Sequence, residues 1–156
     1  GNMAQSDMMA EFIGVYMSSL KNLEKLISQP TSAYGISFEQ WLIMSAVAHS
    51  RTPLTLTEIA AERGVTKGAV ARQLKPLFEK EYLQQVTDDK DRRRVLLHLT
   101  ETGVVVETTI TEKVSSRFNK WLGIYGLEEG KSLLSHLHRL EDLIVKPELA
   151  HKNIEK

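Results

Sequence analysis

Apolar residues recur at three- and four-residue spacing early in the chain. Met9, Phe12, Ile13, Tyr16, Leu20, Leu23 and Ile27 form one stripe, which predicts a helix over residues 7–27. Met8, Val15, Met17 and Leu26 widen that stripe beyond what a single contact needs. Residues 29–35, opening on Gln29-Pro30 and closing on Gly35, read as a loop. Ser37, with Gln40 three residues on, is a capping-box signature. The helix it opens runs to about Ser50 and has Phe38, Trp41, Leu42 and Val47 on its apolar side. Thr55 and Glu58 form a second such pair and open a short helix over residues 57–63. Gly64-Val65-Thr66 then turns the chain into another helix, residues 67–79, with Val70, Leu74 and Leu77 on its core face.

The period then shortens. Residues 82–86 and 95–99 read as two short strands around a polar loop from Thr87 to Arg94, with Val95, Leu97 and Leu99 on one face. Thr100 caps a long helix reaching about Leu122, striped by Val106, Ile110, Val114, Phe118 and Leu122. After a break at Tyr125-Gly126, Leu133, Leu137, Leu140 and Ile144 are spaced four, three and four, a coiled-coil-like seam on a helix over residues 127–145 that Pro147 is expected to stop. The pattern therefore predicts a mainly α fold with a small β-hairpin wing. A winged helix-turn-helix domain occupies residues 37–100, and a helical dimerisation region comes from both chain ends, residues 7–36 and 101–148. The end helices carry more apolar surface than one small domain needs, as expected of a partner-binding part.

Composition narrows the class. In 156 residues, 42% are hydrophobic, enough for a core. The formal net charge is zero, yet residues 66–94 hold eight basic side chains against five acidic ones, a local +3. Such an excess makes a basic face on a neutral protein, the footprint of a phosphate-binding surface. Without cysteine the chain has no disulfide, no thiolate nucleophile, no cysteine redox sensor and no thiolate-held zinc. No apolar run approaches the length of a membrane span and no signal-peptide pattern is seen, so a cytoplasmic protein away from the membrane is expected.

Two short helices joined by a glycine-containing turn, the second basic on its outer side, are the elements of a helix-turn-helix. With Val70, Leu74 and Leu77 inward, Gly68, Arg72 and Lys75 point outward, with Ala71 beside them and Lys67 in the first turn. Such a helix fits the major groove of double-stranded DNA, where arginine bonds a guanine edge in bidentate fashion and lysine reaches bases or phosphates. Gly68, Ala69 and Ala71 are small enough for the backbone to come close, and the amides after Thr66 can hold a phosphate. The loop carries Lys90, Asp91, Arg92, Arg93 and Arg94. Three consecutive arginines repel one another without an anionic partner, and a narrow minor groove supplies one. Asp91, two residues before Arg93, can hold that guanidinium in one rotamer by a charge-assisted bond.

At this point the chain resembles the MarR family of bacterial regulators. The similarity lies in Leu54-Thr55-Leu56-Thr57-Glu58-Ile59-Ala60 through Gly64-Val65-Thr66, in Asp91-Arg92-Arg93, and in Leu99-Thr100-Glu101-Thr102-Gly103. The resemblance implies a homodimer held by the first and last helices, with two heads on successive major grooves. It assigns Thr66, Lys67, Gly68, Ala69 and Arg72 to the recognition helix, and Asp91 and Arg93 to the wing. Two positions depart from it. Glu81 stands where the family has glycine, so strain or a differently shaped turn is expected. Pro76 lies inside the recognition helix and cannot donate to the carbonyl of Arg72, which predicts a kink or early loosening.

The expected function is a sequence-specific transcriptional regulator, acting as a repressor on a pseudo-palindromic operator. The alternative is a winged-helix protein-interaction module that does not read DNA. Met9, Phe12, Tyr16, Phe38, Trp41 and Met44 form a candidate effector pocket, and the resemblance adds a small, aromatic or anionic effector as partner; at this spacing a plain hydrophobic core is the simpler reading. His136 and His138 point to different faces of their helix, and without a third ligand a solvated face is the simpler reading. His49 and His98 read as local hydrogen-bonders. No phosphate-binding glycine loop, nucleophile elbow or zinc-hydrolase motif occurs, so neither an enzyme nor a cofactor or metal is expected.

Overall fold

The apolar stripe at the start of the chain forms a helix that outruns its predicted ends in the computed structural model, which describes residues 2–155. Helix α1 (Asn2–Val15) passes through a π turn (Tyr16–Leu20) into α2 (Lys21–Ser32). Val15 keeps right-handed helical angles, φ −64° and ψ −43°, so nothing breaks the coil there. The segment expected as a loop from Gln29 is helical as far as Ser32, with Pro30 inside it. Three hydroxyls help to complete that last turn. Ser28, Thr31 and Ser32 donate to the carbonyls of Glu24, Ser28 and Gln29 at 2.6, 2.7 and 2.8 Å, side-chain bonds on either side of Pro30.

Helix α3 (Phe38–His49) has the full capping box: the Gln40 amide donates to Ser37 Oγ at 3.1 Å, and the Ser37 amide donates to Gln40 Oε1 at 2.8 Å. Thr55 and Glu58 repeat the device at α4 (Leu56–Arg63), which ends on Gly64 in the left-handed region at φ +67°. Helix α5 (Lys67–Glu79) follows, then strands β1 (Leu83–Thr87) and β2 (Val95–Leu99). The strands pair antiparallel from Leu83 opposite Leu99 to Thr87 opposite Val95. The Leu97 amide also donates to the Leu54 carbonyl at 2.8 Å, a bridge that ties the hairpin to the segment before α4.

Helix α6 (Glu101–Tyr125) is the longest element, and Gly126 at φ +103° leads into α7 (Leu127–Leu140). Pro147 does not stop the last helix. A π turn (Glu141–Val145) joins α7 to α8 (Lys146–Glu155), in whose first turn the proline sits. The Lys146 amide reaches back to the Glu141 carbonyl across that wider turn. The coil thus opens immediately before the ring that would otherwise crowd the carbonyl four residues earlier.

The chain divides into two compact units, one ending at Val114 and one beginning at Ser115. The core lies in the first. Ile43 and Met44 of α3, Ile59 of α4, Val70, Leu74 and Leu77 of α5, Leu83 and Leu97 of the strands, and Val106 and Ile110 of α6 make one buried cluster. Trp41 belongs to it, with Phe38, Leu42 and Val47 packed at its edge. The helical ends differ: Met8, Met9, Phe12 and Ile13 are exposed in one unit, and Leu133, Leu137, Leu140 and Ile144 in the other. Among the described residues no helix is long and apolar enough to cross a membrane.

Candidate nucleic-acid interface

Thr66 opens α5 with extended angles, and its Oγ1 accepts from the Ala69 amide at 3.1 Å. The cap fixes where the helix begins and leaves its first-turn amides facing outward, as helix geometry requires. Val70, Leu74 and Leu77 are buried, so Thr66, Lys67, Gly68, Ala71, Arg72 and Lys75 fall on the exposed side, with Ala69 half-buried at the edge. The Arg72 guanidinium lies along that face, with Nη1 3.8 Å from the place a Cβ on Gly68 would take. On the flank, Gln73 Nε2 donates to Glu39 Oε2 at 3.1 Å, fastening α5 to α3.

Pro76 does not end the helix, which continues to Glu79. The exit is a Schellman arrangement: the Tyr82 amide donates to the Leu77 carbonyl at 2.9 Å and the Glu81 amide to that of Phe78 at 3.0 Å. Glu81 therefore occupies the position that glycine usually fills, and its φ of +60° is the one positive value for a non-glycine among the described residues. The strain expected at Glu81 is real, costing about 1 kcal/mol. Thr100 offsets part of it, its Oγ1 donating to the Glu81 carbonyl at 2.5 Å.

The wing tip is held from within. The Asp88 amide donates to the Arg94 carbonyl at 3.0 Å, the Lys90 amide to Asp88 Oδ1 at 2.9 Å, and the Arg94 amide to the Asp91 carbonyl at 2.9 Å. Asp91 Oδ1 accepts from both the amide and Nε of Arg93, at 3.1 and 3.2 Å. Arg93 is thus aimed while 93% of its side chain stays exposed. Lys90 and Arg92 are also exposed.

Arg94 has another attachment. Its Nη2 donates to Glu58 Oε1 at 2.8 Å, so this arginine straps the wing to α4. The same Glu58 oxygen accepts from the Thr55 amide at 3.3 Å, so one carboxylate both caps α4 and holds the wing. Sequence reasoning found the cap and missed the strap. It also missed the role of Leu54, and why Gly103 is glycine: a Cβ there would lie 2.0 Å from the Tyr82 carbonyl oxygen, which already accepts from the Thr100 amide at 3.0 Å.

The candidate effector residues separate into two groups. Phe38 and Trp41 stack at a tilt, ring centroids 5.3 Å apart, beside the fully buried Met44. Trp41 Nε1 is buried without a hydrogen-bond partner. Met9, Phe12 and Tyr16 lie exposed on α1 and the π turn, outside the cluster that holds Trp41. His49 Nδ1 bonds the Ser45 carbonyl at 2.8 Å, the local role expected of it. His136 and His138 are exposed on α7, and no group of three metal-ligating side chains occurs among the described residues.

A capped basic helix presented after a glycine turn, next to a hairpin with an aimed arginine at its tip, defines a winged helix-turn-helix of the DNA-binding class. Residues 34–94 match the sequence profile of the MarR family, so the helix-turn-helix and wing of this chain are similar to that family. The HTH-type transcriptional regulator SarZ of Staphylococcus aureus is 24% identical over 107 residues, 67% of this chain and 71% of SarZ. Among solved structures, S. aureus MarR in complex with salicylate and kanamycin superposes with a TM-score of 0.71 at 21% identity, covering 92% of this chain and 97% of that one. A mutant of S. aureus MepR bound to an oligodeoxyribonucleotide gives a TM-score of 0.59 at 20% identity, covering 84% and 96%.

Proposed function

We propose that the protein is a homodimeric repressor that reads a pseudo-palindromic operator and is released by a small effector. The observation that carries this reading is the joint presentation of two basic elements on one head: the exposed face of α5 and the Asp91-aimed Arg93 at the wing tip. Lys67, Gly68 and Arg72 face the bases of a major groove, with Thr66, Ala69, Ala71 and Lys75 completing the approach. Lys90, Arg92 and Arg93 enter the flanking minor groove, whose negative potential draws arginine. Arg94 contributes indirectly, by holding the wing against α4. The oligodeoxyribonucleotide bound to the MepR mutant supports the DNA assignment.

Two copies joined through the apolar faces of the terminal helices set half-site centres about one helical turn apart. Those faces are the surface on offer: Phe12, Leu133 and Leu137 are 62%, 45% and 46% exposed in a single chain. The salicylate held by S. aureus MarR supports a small aromatic anion as effector. The Phe38–Trp41 pair, with its unpartnered indole N–H, supports the place where such a molecule meets this chain, and Phe12 and Tyr16 are the residues that a second copy would bring to it. The effector acts by binding one spacing of the heads more tightly than the other.

DNA fragments selected from a random library by the native protein provide the test. Arg72→Ala lowers affinity for them about tenfold or more and relaxes the base preference at one position of each half-site. Binding weakens steeply between low and moderate salt, because phosphate contacts release counterions. A salt-independent complex, or unchanged affinity in both Arg72→Ala and Arg93→Ala, identifies a protein-interaction module instead. Sedimentation that finds a folded monomer at micromolar concentration defeats the dimer.

A further inference from the structure

Glu107, on the first half of α6, has no part in the reading above. It is only 5% exposed, and glutamate is rarely so buried unless it is paired. Its contacts within the chain engage one oxygen. Thr111 Oγ1 donates to Oε1 at 2.9 Å, and His49 Nδ1 lies 4.0 Å from that same Oε1 while already bonded to the Ser45 carbonyl. Oε2 has no hydrogen bond among the described residues. A glutamine would serve Thr111 equally well, so the fold alone does not call for a carboxyl group here.

Glu107 lines a cleft of about 520 Å³ between the C-terminal end of α3, the segment leading to Leu54, strand β2 and the start of α6. The volume is that of a small-molecule site. Leu97, Leu99 and Val104 give it an apolar side, and Arg51 stands exposed on its lining with no ion pair among the described residues. Glu107 and Arg51 thus share a cleft, together with His49 and His98, and the glutamate and the arginine do not bond each other. A simple anion placed there meets the glutamate, and a simple cation meets the arginine; each is disfavoured by one wall. A molecule carrying both charges satisfies both.

We propose that this cleft binds a small amphoteric molecule of the amino-acid class, its ammonium on Glu107, its carboxylate on Arg51 and its apolar body against β2. The site shares no residue with the DNA-reading face or the Phe38–Trp41 pair, and the proposal does not depend on either.

The test uses three probes with one apolar body: phenylalanine, phenethylamine with the ammonium alone, and 3-phenylpropionate with the carboxylate alone. Calorimetry on the full chain should show saturable millimolar-or-better binding of phenylalanine, with each single-charge probe about tenfold weaker or more, the loss expected for one charge-assisted hydrogen bond. Glu107→Gln, which keeps an acceptor for Thr111, should reduce phenylalanine to the level of 3-phenylpropionate. Arg51→Ala, at an exposed position that does not threaten the fold, should reduce it to the level of phenethylamine. Hydrogen exchange should slow at residues 47–53, 97–99 and 104–108. Absence of phenylalanine binding, equal binding of the three probes, undiminished binding by either variant, or protection confined to other residues overturns the proposal.

Discussion

The head and the terminal helices use apolar residues in opposite ways. In the head, side chains from α3, α4, α5, both strands and α6 close on one another, and Met44, Leu77 and Ile110 are fully buried. On α1 and α7 apolar side chains at helical spacing stay in solvent, with Met8 73% and Leu134 55% exposed. Both regions have helical periodicity, so amphipathicity alone does not distinguish a self-sufficient core from a surface awaiting a partner. The difference lies in whether other elements of the same chain cover the stripe.

That contrast is breakable. The largest effect is expected from truncating an apolar side chain in each region. Met44→Ala should cost about 4 kcal/mol in urea denaturation, since it opens a cavity in a closed core. In the proposed dimer, Leu137→Ala should weaken self-association measured by sedimentation, and at concentrations where the chain is monomeric it should move the same transition by less than about 0.5 kcal/mol. Equal destabilisation by both would erase the distinction. A smaller pair of effects opposes two glycines. Gly103→Ala drives a methyl into the Tyr82 carbonyl and should cost up to about 3 kcal/mol. Gly14→Ala, on α1 with nothing within 4 Å, should raise helix stability by up to about 1 kcal/mol, read from circular dichroism melts. The smallest change sharpens the head alone: Glu81→Gly should raise its melting temperature by a few degrees, by relieving about 1 kcal/mol of left-handed strain.

The parts of this arrangement that were legible in the sequence are those decided within a few residues. Ser37–Gln40 and Thr55–Glu58 announce helix starts because each capping box is complete within one turn. Asp91 reaches Arg93 across one intervening residue, and the conflict at Glu81 was legible through the family resemblance, which places glycine there. Distance in sequence hid the rest. Glu58 and Arg94 are 36 positions apart, and an acid that already explains a cap gives no sign of a second partner. Pro30 and Pro147 misled because the helix continues through each of them, at Pro147 after a π turn. Glu107 sits one place after the apolar Val106 on α6, and nothing nearby in sequence marks it as buried; α3 and β2 line the cleft that holds it.

The attachments of the hairpin have a mechanical consequence. Leu97 is bonded to Leu54 ahead of α4, Arg94 to Glu58 on α4, and Thr100 to the turn that ends α5. Pinned at three separated points, the wing is tied to α4 and to the turn that ends α5, so hairpin and α5 are expected to move as the two ends of one lever. In the proposed dimer, a small rotation of the whole head therefore displaces the Arg93 tip and the Arg72 face together, so both grooves are lost in a single movement.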